Sequence, residues 1–331
     1  MPINWNPFVE LVRRHQRFLI TTHVRPDPDG LGSQLGLADA LEQMGKQARL
    51  VISSVAPPRY NFLDPGRRIQ RFTLPGAEYR DAEAIIILDT GTWGQLGDFG
   101  TFLKTMNVPK FVIDHHLSQD DLGAVRLVDT TAEATGRLVY EAVQALQQKL
   151  SPQAADCLFA AVATDTGWFR HLNTTAATFA LAEKLASAGA RPTPLWDFIY
   201  EHNSLACMRL KGVGLSRLRT EENGKVALTE ILLSDYAATG ATPQDTEDMV
   251  NYTRSIAGVE VGLFFVEQAA GGVKVSFRSR ERIDVAKIAE AFGGGGHRLA
   301  SGATLAGTIA DAEARVLDMV KKAFESHPLT A

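Results

Sequence analysis

Five consecutive apolar residues, Ala84-Ile85-Ile86-Ile87-Leu88, run without a polar break into Asp89. A strand with one wet face would alternate, so an unbroken run of this kind suits a parallel strand covered on both sides. Phe18-Leu19-Ile20 and Phe111-Val112-Ile113 repeat the pattern, with helical spacings between them. Strand and helix in alternation predict an α/β fold built on a doubly wound, mainly parallel sheet. Each run also ends in residues with chemistry. The first leads into Thr22-His23-Val24-Arg25-Pro26-Asp27-Pro28-Asp29-Gly30-Leu31-Gly32-Ser33, the second into Asp89-Thr90-Gly91, the third into Asp114-His115-His116. Open α/β sheets place their binding crevices at the carboxyl ends of the strands, so these distant residues are expected along one edge. Pro26 and Pro28 stiffen the first loop and reduce the entropy lost when its carboxylates are fixed.

The remaining elements follow in order. Asn6 to Arg14 reads as a short amphipathic helix. Gly32 to Met44 reads as another, stopped by Gly45 in the position of a C-cap. Arg49 to Ile52 and Val125 to Val128 read as strands, and Gln95 to Lys104 as a helix. Thr131 is expected to cap a helix reaching about Gln148. Pro152 to Thr164 is almost wholly apolar and delivers Asp165, where Asp165-Thr166-Gly167 echoes Asp89-Thr90-Gly91. A further helix runs from Thr174 or Thr175 to about Ser187, and Gly189 to Pro194 is the best linker candidate.

Beyond the linker the pattern changes to α+β. Trp196 to Leu218 is helix-rich, and Val226 to Leu232, Val259 to Val266 and Val273 to Phe277 read as strands. The last two are joined through Gly271-Gly272 like a hairpin. Helices at Pro243 to Ser255 and Asp284 to Ala291 intervene, then the run Gly293-Gly294-Gly295-Gly296-His297 and an amphipathic helix from Ile309 to Phe324. The expected division is 1–188, a linker 189–205, and 206–331, in keeping with a prior of about 150 residues per domain.

Composition narrows the function. The net charge is −4 and no Lys/Arg block occurs, which argues against a grip on long duplex nucleic acid, where many phosphate contacts are needed. A small anion held by a few cations remains open. Cys157 and Cys207 form no CxxC pair and no disulfide framework, as expected of a reducing cytoplasm. Neither a signal peptide nor an apolar run of about 20 residues is evident, so no membrane attachment is expected.

His23, Asp27, Asp29, Asp89, His115, His116 and Asp165 gathered at one edge would bring four carboxylates together. Such a cluster repels itself unless divalent cations supply the countercharge. Oxygen and imidazole donors without thiolate favour Mn²⁺ over Mg²⁺, Co²⁺ or Fe²⁺. The donors exceed what one open catalytic ion takes and suit a pair of ions about 3.5–4 Å apart, sharing a carboxylate and a water. Hydrolysis of a phosphoester is the chemistry this arrangement serves.

Taken together, His23-x-x-Pro26-Asp27-x-Asp29-x-x-Gly32-Ser33, Asp89, Asp114-His115-His116 and Asp165-Thr166-Gly167 resemble the four motifs of the DHH phosphoesterase superfamily. Ser276-Phe277-Arg278-Ser279, followed by Gly293 to His297 and Ala300-Ser301-Gly302, resembles its DHHA1 substrate domain. Each motif alone is a common turn or loop; the likeness lies in their number and order, and it covers nearly the whole chain. A compact pairing of these two domains is most similar to the nanoRNase (oligoribonuclease)/pAp phosphatase, NrnA-like, group.

The resemblance implies an active site in the cleft between the domains, with two divalent ions, Mn²⁺ ahead of Mg²⁺ and Co²⁺. It implies that His23 and Asp27 hold one ion, that Asp29, His115 and Asp165 hold the other, and that Asp89 bridges them. Asp114 would orient the histidine pair, and His116 would lie beside the substrate phosphate. Arg278, His297 and the backbone of Gly295 and Gly296 would hold the far phosphate or 3′ end; Arg170 and Arg298 match the pattern less well. Pro28 departs from the family, which usually carries a small residue there. The implied substrates are very short single-stranded RNA, trimmed to mononucleotides, and 3′-phosphoadenosine 5′-phosphate (pAp), converted to AMP. A cyclic di-AMP or pApA phosphodiesterase is the alternative enzyme, and a non-catalytic nucleotide-binding protein the alternative of another class, although no ligand position is lost. Relatives leave a homodimer open, and no pattern in this sequence requires one.

Overall fold

The computed structural model describes residues 3–326. It divides into two compact units between His202 and Asn203, inside the stretch 189–205. That stretch is not an extended linker. Pro192 opens the short helix Pro192–Trp196, and a π-helical turn, Asp197–Glu201, continues it, because proline suits the first turn of a helix, where its missing N–H is not needed.

In the first unit, strands β1 (Arg17–Thr21), β2 (Gln47–Ile52), β3 (Ile69–Arg71), β4 (Ala84–Leu88), β5 (Lys110–Asp114) and β6 (Val125–Val128) form one sheet in the order β3-β2-β1-β4-β5-β6. Every neighbouring pair is parallel. The order reverses between β1 and β4, and the carboxyl ends at such a switch point diverge to leave a crevice. The unbroken apolar runs are explained by cover on both faces. Phe18, Ile20, Ile86, Leu88, Phe111 and Ile113 face helices α1 (Asn6–Arg14), α2 (Pro28–Gln43), α4 (Thr135–Ala145) and α5 (Pro152–Asp165). Leu19, Val51, Ile85, Ile87 and Val112 face α3 (Gly97–Leu103) and the aromatic cluster of Phe72, Tyr79, Phe99 and Phe102.

Local signals explain where the helices begin. Asp27 is the N-cap of α2, accepting hydrogen bonds from the N–H groups of Asp29 (3.0 Å) and Gly30 (3.1 Å). The second half of the acidic stretch is therefore helix, not loop. Pro28 occupies the first helical position, so the departure from the family pattern removes a donor that the helix does not use. Other boundaries also differ from expectation. The helix expected from Gln95 is a 3₁₀ turn, Trp93–Leu96, followed by α3. The helix expected from Thr131 starts at Thr135, because the N–H and hydroxyl of Thr131 bind the Asp129 carboxylate at 2.9 and 2.7 Å and close a turn instead.

The second unit is α+β. Its sheet runs β11-β12-β10-β9-β8-β7 and is antiparallel except for the β8–β9 pair. The strands are β7 (Arg219–Glu221), β8 (Val226–Ile231), β9 (Val261–Glu267), β10 (Val273–Ser279), β11 (Gly295–His297) and β12 (Ala300–Leu305). One face, with Leu263, Phe265, Val275 and Phe277, packs on α11 (Val285–Glu290) and α12 (Ile309–Ser326). On the other, α8 (Leu205–Ser216) and α10 (Met249–Arg254) meet Ile231, Phe264 and Val266 of β8 and β9. The glycine run is not an open loop, since Gly295–His297 pairs with β12. Among the described residues, no helix is long and apolar enough to cross a membrane.

Candidate metal centre

The crevice at the β1/β4 switch point is filled by side chains rather than backbone. His23 leaves β1 and turns Nδ1 to its neighbour's carbonyl, Val24 O, at 2.9 Å. Only an N–H on Nδ1 satisfies that contact, which leaves the Nε2 lone pair aimed inward. Nε2 lies 3.3 Å from Asp89 Oδ2 and 3.6 Å from Asp27 Oδ1. His115, after β5, does the same from the other side. Its Nδ1 is 3.2 Å from the Ala132 carbonyl, and its Nε2 faces Asp165 Oδ2 (3.4 Å), Asp89 Oδ1 (3.5 Å) and Asp29 Oδ2 (3.8 Å).

Three groups of donors result, each with ligand atoms within 4.8 Å of one another: His23-Asp27-Asp89, Asp29-His115-Asp165, and Asp89-His115-His116. Asp89 presents one oxygen to His23 and the other to His115 and His116. All seven residues expected at the sheet edge are thus brought together in the first unit. The donor chemistry, oxygen and neutral imidazole, is the kind that divalent cations take.

Electrostatics gives the same account. Burial, then the charges of Asp89 and Asp165, hold the Asp29 carboxyl well above its ordinary range. Burial, then Asp89 and Asp27, do the same to Asp165. Burial alone would lower the pKa of His23, but hydrogen bonds and charges from Asp27 and Asp89 push it up to about 11. The cluster therefore demands positive charge, supplied by protons or by metal ions.

Asp114 plays a different part. It is fully buried, and its Oδ1 takes the backbone N–H groups of His115 (2.8 Å) and His116 (3.2 Å) as well as His116 Nδ1 (2.8 Å). Its Oδ2 accepts from Gln119 Nε2 at 2.6 Å. Burial would raise its pKa, but the His116 ring and these N–H groups outweigh it and hold the carboxyl low. In return, the hydrogen bond from Asp114 pushes His116 up to about 9. Asp114 has no oxygen to spare, and it fixes the ring of His116.

Sequence reasoning missed Thr135, Gly136 and Gln119. Thr135 N and Gly136 N donate to the two oxygens of Asp29 at 2.7 and 2.8 Å, and Thr135 Oγ1 lies 3.0 Å from Asp89 Oδ1. Asp29 therefore caps α4 from 106 residues away in the sequence. The available signal was negative: Ala134, the residue before α4, offers no side-chain cap, so its first N–H groups need an outside acceptor.

In the second unit, Arg278 is half-buried on β10, with Nη1 3.0 Å from the Phe277 carbonyl. His297 is exposed on β11. Gly296 has φ +143°, and a Cβ there would lie 2.6 Å from the Ala300 carbonyl, so only glycine fits. Nothing lies within 4 Å of a Cβ built on Gly295, which leaves its backbone approachable. Arg170 is held by the Gly167 carbonyl at 2.7 Å, and the Arg298 carbonyl accepts from Val285 N at 2.9 Å.

Comparison with known proteins finds a family match within each unit. The DHH family N-terminal domain matches residues 17–162, and the DHHA1 domain matches residues 223–326. The bifunctional oligoribonuclease and PAP phosphatase NrnA of Thermus thermophilus is 32% identical over 92% of this chain and 89% of its own length. The protein of the same name from Bacillus subtilis is 29% identical over 89% of this chain and 92% of its own. In structure, an exopolyphosphatase-related protein from Bacteroides fragilis superposes with a TM-score of 0.91 at 24% identity, covering 97% of this chain and 96% of that one, a likeness of fold. With both domains matched in order and a relative above 30% identity aligned over most of both chains, the chain belongs to the DHH family of phosphoesterases.

Proposed function

We propose that this phosphoesterase trims very short oligoribonucleotides to mononucleotides and removes the 3′-phosphate of pAp, using two divalent ions, with Mn²⁺ preferred. The observation that carries the reading is the position of Asp89. Its two oxygens face opposite ways, one toward His23 and the other toward His115. Bound there, the ions would neutralise phosphoryl oxygens and lower the pKa of the attacking water. His23 and Asp27 would hold one ion, Asp29, His115 and Asp165 the other, and Asp89 both. His116, positioned by Asp114, would give a hydrogen bond or proton to the phosphate that is cleaved. Arg278, His297 and the backbone of Gly295 and Gly296 would bind the phosphate that is not. The names of the two NrnA relatives support the substrate class, and the net charge of −4 without a basic block supports short substrates over long ones.

The test is a Mn²⁺-supplemented time course on an equimolar mixture of pApA, pAp and cyclic di-AMP, resolved by chromatography. Conversion of pApA to AMP and loss of phosphate from pAp, with the cyclic compound intact, is the expected outcome. Prior loss of cyclic di-AMP would move the protein to cyclic-dinucleotide turnover. No consumption at all would reassign the cluster to binding.

A further inference from the structure

Gln119 carries an amide oxygen that packing alone does not explain. Its Oε1 is buried and accepts no hydrogen bond among the described residues, an arrangement that costs stability. The amide cannot turn over to relieve this, because Nε2 directs its two N–H groups elsewhere. It lies 2.6 Å from Asp114 Oδ2 and 3.1 Å from the His116 carbonyl. Turned over, the oxygen would face a carboxylate and a carbonyl instead. Oε1 lies against Gly91, where a Cβ would strike the Gln119 amide. The glycine of Asp89-Thr90-Gly91 thus makes room for this side chain. Backbone contacts keep the two segments together. Gly91 and Gln119 form an isolated parallel bridge, Asp120 N donates to the Gly91 carbonyl at 2.8 Å, and Trp93 N donates to Asp120 Oδ2 at 2.8 Å. The loop that delivers Asp89 and the loop that delivers His115 and His116 are therefore joined at residue 119.

We propose that Gln119 is a positioning residue for His116, setting where that ring meets the phosphate to be cleaved. This rests on the function proposed above. His116 is held through its backbone N–H and its Nδ1, which approach Asp114 Oδ1 at 3.2 and 2.8 Å, and through its carbonyl, which accepts from Gln119. Gln119 governs the carbonyl directly and the other two contacts through Asp114 Oδ2. With Nδ1 turned to Asp114, it is Nε2 that would meet a phosphate. His115 has a separate anchor, the Ala132 carbonyl 3.2 Å from its Nδ1. Loss of the Gln119 amide should therefore fall on His116 and spare the metal ligands.

The experiment compares the full-length chain with Gln119→Met, His116→Ala and the double variant. Methionine keeps the shape over Gly91 and removes both donors. With Gln119→Met, kcat for pAp and for the chromogenic diester bis(p-nitrophenyl) phosphate is expected to fall about tenfold, the usual cost of losing a group that orients another. KM for each, and Mn²⁺ affinity measured by calorimetry, should stay within about twofold. In the His116→Ala background the same change should lower kcat by less than about twofold, because residues that act as one unit are not additive. Gln119→Asn keeps an amide one methylene short, and carries the same cycle where Gln119→Met does not fold. An unchanged kcat, or a loss of the same size in both backgrounds, overturns the proposal. So does Mn²⁺ binding weakened as much as kcat, which would place Gln119 beneath the metal ligands instead. The diester separates this from the function proposed above. A parent that cleaves the diester and leaves pAp intact counts against the proposed substrates alone, and the cycle is then read on the diester. A parent that cleaves neither overturns both.

Discussion

Asp89 shows most clearly how single residues are committed to the site. Its backbone is left-handed, with φ +60°, a conformation that costs a non-glycine residue about 1–2 kcal/mol and that aspartate tolerates better than most. The turn aims both carboxylate oxygens into the crevice, and Thr135 Oγ1 holds one of them at 3.0 Å. Asp89→Asn keeps the shape and removes the charge. Turnover of pAp in Mn²⁺ is expected to fall about 10³-fold, roughly 4 kcal/mol of transition-state stabilisation, with the far-ultraviolet circular dichroism unchanged. A rate within a few-fold of the parent would remove Asp89 from the reaction. Thr135→Val tests the support beneath it, since the valine keeps the backbone N–H to Asp29 and loses only the hydroxyl. Metal affinity measured by calorimetry should weaken about 10- to 100-fold, the usual cost of losing a group that orients a ligand. An unchanged affinity would make the hydroxyl a packing contact only.

At the level of elements, two glycines at helix–helix contacts help to position the carboxylates. A Cβ on Gly32 would drive into the Cys157 carbonyl, and one on Gly136 would lie 2.7 Å from the Ala161 Cβ. These two glycines let α2 and α4 press against α5, so that Asp29 at the start of α2 and Asp165 at the end of α5 meet around His115. Gly32→Ala should destabilise the protein by about 1–3 kcal/mol through overpacking against backbone that cannot yield. It should also weaken metal binding, because the helix carrying Asp27 and Asp29 is displaced. A thermal melt within a degree of the parent's would show that the α2–α5 contact adjusts. The contrast between what was readable and what was not follows from the same physics. Ala84–Leu88 announced a buried parallel strand because burial on both faces leaves no polar residue in the run. The acidic stretch was visible because few folds tolerate such a density of carboxylates. The start of α4 was misread because Thr131 is a good cap by composition, whereas the acceptor in use, Asp29, is remote in sequence. Strand β12 was missed because Ala300, Ser301 and Gly302 carry no apolar signal, and pairing with β10 and β11 alone makes them a strand.

Across the whole molecule, the cost of gathering these carboxylates sits in the first unit, where burial and mutual repulsion hold Asp29 and Asp165 well above the ordinary carboxyl range. An ion that binds the native state and not the unfolded chain relieves that cost, and by mass action it raises stability by about 2.7 kcal/mol at a hundredfold excess over its Kd. For a unit of this size, that corresponds to an upward shift in Tm on the order of 5–10 °C. The second unit contains no such cluster among its described residues, so where the units melt separately only the transition of the first should move. Titrating Mn²⁺ into chelator-treated protein during calorimetric scans reads this directly, without any substrate. The same titration on Asp89→Asn should give a much smaller shift. The variant also begins with less repulsion to relieve, so its chelated form is expected to melt at or above the parent's temperature. A full Mn²⁺ shift retained in the variant would mean that the ion binds elsewhere. A variant that melts below the chelated parent would mean that Asp89 stabilises the fold through Thr135 by more than its charge destabilises it.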